Sequence, residues 1–179
     1  MSETDMNEKC KISDTELLSF LISKQKDTVP GLKLLQPWAS FILESGKTID
    51  IRTYPNHYRG WIGLLASGWD TQFDLHQGLE RGRFPKAHYP LFCLVGFAIL
   101  KEIKIYTTIE DFVSDRHLHL NVPEQFSQPC YGWILSRIAG ISPPLYYVHA
   151  KSKIRQHLLP LQGQMARCRI AVREILKRV

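Results

Sequence analysis

The run LFCLVGFAIL, Leu91 to Leu100, limits the folding choices of this chain more than any other stretch. Its ten unbroken apolar residues reach only half of the ~20 that a helix needs to cross a bilayer, and Phe, Val and Ile favour extended backbone. The run reads as a buried strand, not a membrane helix. A chain that carries such a strand has to build a sheet around it, and KEIKIY prolongs the run into a long strand or a strand pair.

Other segments supply partners for that strand. KLLQPW reads as a short strand into a turn, WASFILESG as a helix of about two to three turns with Trp38, Phe41 and Ile42 on its apolar side. TIDIRTY alternates, placing Thr48, Asp50 and Arg52 on one face and Ile49, Ile51 and Thr53 on the other. PNHYRG is a turn, WIGLLAS a strand, and the polar stretch from Asp70 to Lys86 a helix or long loop broken by Gly78 and Gly82. TTIEDFVSD is a short capped helix, and YGWILSRIAGI and LYYVHAK complete the strands. Five or six strands with short helices between them favour a small mixed barrel over a doubly wound sheet.

The flanks differ from this centre. Ser13 and Glu16 have capping-box spacing ahead of Leu17, Leu18, Leu21 and Ile22, which predicts a helix from Asp14 to Lys24, closed off by Pro30-Gly31. From Gly163 to Val179 the apolar residues Met165, Cys168, Val172, Ile175, Leu176 and Val179 recur at three- and four-residue steps. Arg167, Arg169, Arg173, Lys177 and Arg178 fill most of the positions between, which predicts a basic amphipathic helix. Three parts follow: a helical appendage over 1–30, a barrel domain over 31–150 and a basic helical tail over 151–179.

Charge follows the same division. The formal net charge of +6 is made of −2 over residues 1–30, +1 over 31–150 and +7 over 151–179. A basic end of this kind suits a polyanion such as nucleic acid, or a protein partner docking on the helix, while a packed terminal helix with a solvated cationic face is the plainer alternative. Its apolar face lacks Trp and Phe, which argues against a membrane-surface role. The four cysteines, Cys10, Cys93, Cys130 and Cys168, form no C-x-x-C pair, and residues 1–12 are mostly polar, without the apolar run of a signal peptide. These features predict a cytoplasmic protein with reduced thiols.

The charged face of TIDIRTY is the candidate site. Strand periodicity puts Asp50 beside Arg52, with Lys47 at the mouth. Two cations flanking one carboxylate suit a phosphate, a polarised carbonyl or a base edge. The same trio also makes a structural ion-pair network that closes the barrel. Trp38, Tyr54, Tyr58, Trp61, Tyr89 and Trp133 are candidates to stack on a base, Trp38 and Tyr54 foremost because they bracket the charged set, although each ring taken singly is more at home in a core. His117 and His119 in DRHLHLN, with Asp115 nearby, lack a third clear ligand and read as solvated loop histidines. No metal and no cofactor are expected.

Gln36-Pro37-Trp38-Ala39-Ser40, Lys47, Asp50, Arg52 and Tyr58-Arg59-Gly60 together resemble the ASCH domain, a branch of the PUA-like fold. Tyr89-Pro90 ahead of Leu94-Val95-Gly96, and Tyr131-Gly132-Trp133-Ile134-Leu135, fit the family's later strands, so the resemblance runs from Lys33 to Tyr147. Ser45-Gly46 stands where the signature has its glycine, Asp50 stands where it has glutamate, and the family's closing strand has no recognisable counterpart after His149. The resemblance implies an α+β, PUA-like mixed barrel whose cleft beside the first helix is lined by Gln36, Trp38, Ser40, Lys47, Asp50, Arg52 and Tyr54 and binds RNA or a nucleotide-like ligand. Some members resemble nucleoside hydrolases or ribonucleases. In the N4-acetylcytidine amidohydrolase branch, Lys47 matches the working lysine while Asp50 occupies the threonine position, which makes Lys47 and Asp50 the candidates for proton transfer.

Overall fold

The computed structural model describes residues 28–76, 88–146 and 168–171, and within them a six-stranded sheet dominates. The apolar run opens β4, Cys93–Tyr106, a single strand of 14 residues rather than a pair. Cys93 to Ala98 are buried whichever way they point, whereas Lys101, Glu102 and Ile105 are exposed. The unbroken hydrophobicity thus marks the half of β4 that is covered on both faces, and alternation returns where one face meets water.

The remaining elements in chain order are β1 (Thr28–Gln36), α1 (Trp38–Glu44), β2 (Ile49–Arg52), β3 (Gly60–Trp69) and α2 (Phe73–His76). After β4 come α3 (Ile109–Ser114), α4 (Arg116–His119), a 3₁₀ turn at Pro123–Gln125, β5 (Cys130–Tyr146) and β6 (Cys168–Ala171). The strand order is β2-β5-β4-β3-β1-β6, with β1 and β3 parallel and every other pair antiparallel. β4 and β5 pair from Cys93 opposite Tyr146 to Tyr106 opposite Cys130, with register shifts at three places. Each shift adds local twist and bends the ribbon, which coils the sheet into a half-barrel.

α1 covers the concave side. Trp38, Ala39, Ser40 and Ile42 are buried along it, and Ile42 joins Leu32, Leu34, Ile62, Leu64, Val95, Leu100, Trp133 and Leu135 in the main core. Burying a side chain such as Ile42 contributes about 2 kcal/mol. The helix sits so close to the sheet that a Cβ on Gly96 would collide with the Ala139 carbonyl and the Leu43 side chain, which explains the glycine in the middle of an otherwise bulky strand. Gly46, at φ +76°, turns the chain out of the helix and lets the Lys47 amide donate back to the Phe41 carbonyl at 3.2 Å. A second, smaller core of Tyr106, Phe112 and Cys130 lies under α3. Thr108 caps that helix as its sequence predicts, its side chain accepting from the Asp111 amide at 3.2 Å.

The helix predicted over Asp14 to Lys24 lies outside the described residues, as does most of the basic segment. Cys168–Ala171 of that segment is extended, not helical, and pairs with Thr28–Gly31 of β1. The unpaired backbone along that edge of β1 offers hydrogen bonds that local helical periodicity does not reveal. Pro30-Gly31, read as a break, lies inside β1 at this pairing. Of the polar stretch from Asp70 to Lys86, the described part forms α2 and the rest lies outside the described residues.

Candidate functional site

β2 carries the charged set, and its two ends treat their charges differently. Lys47, just ahead of the strand, is 1% exposed. Its Nζ donates to the Ile49 carbonyl at 2.8 Å and to the His119 carbonyl at 2.6 Å, and lies 5.0 Å from the centre of the Trp38 ring. Burial pulls the Lys47 ammonium down to about 8, against the opposing pull of Asp50 and with a smaller push from Arg52. The sequence places Lys47 at the mouth of a cleft; the structure turns it inward, under α4.

Asp50 is 6% exposed, so both faces of β2 are covered at this point of the strand. Its Oδ2 accepts from Arg52 Nε at 2.7 Å, and the Arg52 side chain, 22% exposed, also donates through Nη2 to the Lys33 carbonyl at 2.7 Å. β2 is the first strand in the sheet order and β1 the fifth, so this second bond reaches across the open side of the half-barrel. Arg52 latches the seam between β1 and β2. Its guanidinium carbon lies 5.9 Å from the centre of the Trp133 ring, and Trp133 meets Tyr54 edge-on at 5.6 Å while donating its indole N–H to the Tyr54 carbonyl at 3.2 Å. The sequence-predicted trio is therefore brought close to Trp133 and Tyr54, with Asp50 and Arg52 forming an ion pair while Lys47 bonds to backbone carbonyls.

Gln36, Trp38 and Ser40 sit deeper. Gln36 is fully buried: Nε2 donates to the Pro90 carbonyl at 2.9 Å, and Oε1 accepts the Ser40 amide of α1 at 3.1 Å. The Trp38 indole donates to Asp70 Oδ2 at 2.8 Å, and its ring packs edge-on against Phe41 and Phe73. The QPWAS motif thus anchors the start of α1 to the segments that follow β3 and precede β4, at one end of the sheet. Trp61 and Trp133 are core residues, Tyr58 donates its hydroxyl to the Trp61 carbonyl at 2.8 Å, and Tyr89 packs on Trp69 at 5.8 Å. Tyr54 is half-buried in the Arg52 and Trp133 group.

His119 corrects the reading of the H-x-H pair as solvated. His117 is exposed, but His119 is fully buried on α4, stacked on Phe112 at 4.2 Å. Its Nδ1 accepts from the Asn121 amide at 3.0 Å, which leaves Nε2–H to donate to the Phe112 carbonyl at 2.7 Å. Burial lowers its pKa, the bond to Phe112 opposing. Among the described residues no group of His, Cys, Asp and Glu is arranged to hold a metal ion. Of the basic tail residues, Arg169 lies on β6 opposite Pro30, while Arg167, Arg173, Lys177 and Arg178 lie outside the described residues.

No family model matches the chain, and no curated protein does. Solved structures do. The crystal structure of ASCH from Zymomonas mobilis is 17% identical, covers 86% of this chain and 96% of its own, and superposes with a TM-score of 0.56. Two mutant proteins of that same Zymomonas mobilis ASCH match at 17% and 16% identity, covering 84% and 85% of this chain and 96% of their own, each with a TM-score of 0.55. This is the ASCH fold. Within it, the QPWAS helix start, the Lys47 to Arg52 strand and the Trp133 strand occupy one side of the half-barrel, and no described helix is long and apolar enough to cross a membrane.

Proposed function

We propose that this ASCH-fold chain binds RNA or a nucleotide-like ligand at the seam between β1 and β2. The observation that supports this reading is Arg52, a guanidinium reaching the surface beside two aromatic rings while Asp50 and the Lys33 carbonyl fix its orientation. The Asp50–Arg52 pair is joined at the surface by exposed Lys33 and Arg59, which give β1 and the β2–β3 turn a cationic surface, while Lys47 stays buried beneath. A fixed guanidinium fork suits phosphate oxygens, and Tyr54 beside it suits a base. The test is fluorescence anisotropy with short single-stranded RNA, duplex RNA and duplex DNA at two salt concentrations. Arg52→Ala is expected to weaken RNA binding about tenfold and to flatten the salt slope by about one. Unchanged affinity and slope would sink the reading.

A second reading, hydrolysis of a modified nucleoside, draws on Lys47, whose pKa near 8 leaves a fraction of neutral amine at physiological pH. Its two carbonyl contacts would have to open before it took a proton from a substrate. Release of acetate from N4-acetylcytidine, abolished in Lys47→Met, would favour this reading over simple binding.

A further inference from the structure

The face of the sheet turned away from α1 is buried at its centre, and no described helix covers it there. On β3, Ile62, Leu64 and Ala66 belong to the core under α1, so alternation turns Trp61, Gly63 and Leu65 the other way. Across the pairing with β4, Gly63 lies opposite Phe97 and Leu65 opposite Leu94. Trp61, Leu65, Leu94 and Phe97 are each between 0% and 6% exposed. Side chains in the middle of a sheet face reach such burial only beneath a second layer. α1 packs on the opposite face, α2 rests through Phe73 on Trp38 and Phe41, and α3 covers the far end of β4 around Tyr106. The layer over Trp61 and Leu94 therefore comes from elsewhere in the chain or from a partner.

Residues 1–27 precede β1 and meet the sheet beside this patch, because Thr28 lies just ahead of Gly31, whose partner on β3 is Gly63. Neither glycine has a Cβ, so the face is low at this level and a helix can approach it closely. The sequence predicts a helix over Asp14 to Lys24 with Leu17, Leu18, Leu21 and Ile22 along one side, a stripe that needs an apolar partner. Such a helix spans ~16 Å, close to the ~13 Å from Trp61 to Leu65 along β3, and residues 25–27 can bridge ~10 Å to Thr28. The residues after β6 fit less well. β6 flanks β1 on the side away from β3, so Leu94 on β4 lies three strand spacings or ~14 Å off, more than the ~12 Å that Val172 to Val179 span as a helix.

We propose that residues 14–24 dock as a helix on this face, their leucine stripe against Trp61, Leu65 and Phe97, so that the N-terminal segment is the second layer of the barrel domain and not an appendage to it. β3 and β4 are then sandwiched between this helix and α1, which accounts for the burial of Cys93 to Ala98 on both sides. Lys33 and Leu35, exposed on the same face of β1, mark the limit of the layer. Uncovered, the patch is a contiguous apolar surface of the kind that drives association. The docking does not involve the Arg52 seam and does not depend on what that seam binds.

The test is methyl–aromatic nuclear Overhauser spectroscopy of the full chain. Expected are cross-peaks from the Leu17 and Leu21 methyls to the ring protons of Trp61 and Phe97, and a mixture of labelled and unlabelled chains should show that they arise within one molecule. In urea unfolding, Leu21→Ala and Leu65→Ala should each lower the midpoint, and the double variant should lose less than the sum of the two losses. The Overhauser contacts of the unaltered chain decide the matter if Leu65→Ala folds poorly. Absence of these cross-peaks, rings that contact Leu158, Leu159 and Leu161 or the residues after β6 instead, contacts that arise only between copies, or fully additive losses would each overturn the proposal.

Discussion

Lys47 and Lys104 are the same side chain placed against an aromatic ring in two different surroundings. Lys47 lies 5.0 Å from the centre of Trp38 and Lys104 4.8 Å from the centre of Tyr106. Lys47 is sealed from solvent and bonded to two neutral carbonyls, and burial lowers its pKa to about 8. Lys104, with its side chain 33% exposed, meets Asp111 and Asp115 at 2.8 Å each. The bonds to Asp111 and Asp115 raise its pKa. The ring contact is common to both, so depth and the charge of the acceptors set the direction of the shift. A lysine in a signature motif can thus be a buried structural donor while an unremarked one on a strand end is the fully ionised partner.

The contrast predicts its largest effect at Lys47. Lys47→Ala removes a buried stem and orphans the carbonyls of Ile49 and His119, an expected loss of about 4 kcal/mol of stability by urea unfolding. Lys47→Met keeps the stem and should lose about 2 kcal/mol through the carbonyls alone. A loss under about 1 kcal/mol for Lys47→Ala would mean the buried contacts contribute little, and the difference between the two lysines would reduce to pKa.

Alkaline titration should move the two sites in opposite directions. A base whose folded pKa lies below its unfolded value gives up its proton first in the folded state. Between about 8 and 10.5 the unfolded chain therefore binds more protons at Lys47, and stability from that group rises with pH. The gap corresponds to about 3 kcal/mol. The difference in unfolding free energy between wild type and Lys47→Met should grow by that order from pH 7.5 to 10.5. Lys104 has the opposite sign: its contribution is fully present below the unfolded value and is lost as pH rises through its raised folded value. If both differences moved the same way, the assignment of desolvation to one and ion pairing to the other would fail.

The next effect lies at His119, which couples the two regions. Its carbonyl holds Lys47, its ring stacks on Phe112, and Phe112 also meets Tyr106 edge-on at 5.5 Å. His119→Phe preserves the stack but removes the bonds to the Phe112 carbonyl and the Asn121 amide, an expected cost of about 2 kcal/mol by thermal or urea unfolding. A neutral outcome would show that the buried ring acts by packing alone.

What the sequence reveals of this arrangement depends on how local each signal is. The strands from β2 to β5 and the helix α1 follow from apolar runs and from the spacing of Trp38 and Ile42, since burial of one face leaves its period in the chain. The grouping of Lys47, Asp50 and Arg52 is also legible, because strand periodicity and the motif both place them together. The inward turn of Lys47 is not, because it depends on a carbonyl 72 residues away, offered by a short helix that ends in a left-handed leucine. His119 hides for the same reason: DRHLHLN is polar locally, and only its packing on Phe112, seven residues earlier, marks the buried histidine. Arg52 reaching Lys33 requires the sheet to be curled, and the extended Cys168–Ala171 requires the free edge of β1, neither of which a local period encodes.

The smallest effect is the one that completes the contrast. Lys104→Met leaves a third-exposed ion pair unmade, and pairs of that depth are worth about 1 kcal/mol or less. Asp115 is more than a partner for that lysine, since it also accepts the hydroxyl of the buried Tyr106 at 2.8 Å. Burial alone raises the Asp115 carboxyl, but the bonds from Lys104 and Tyr106 carry it below the usual carboxylate range. Its contribution is therefore present above the ordinary value and lost as pH falls through the folded one. In a double-mutant cycle with Asp115→Asn, the coupling to Lys104 should be about 0.5–1 kcal/mol at low salt and shrink as salt rises, while the loss from Asp115→Asn alone is the larger because it loosens the contact with Tyr106. A coupling that ignored salt would place Lys104 in the same dry environment as Lys47, and the opposite pKa shifts of the two lysines would then have to come from their acceptors alone.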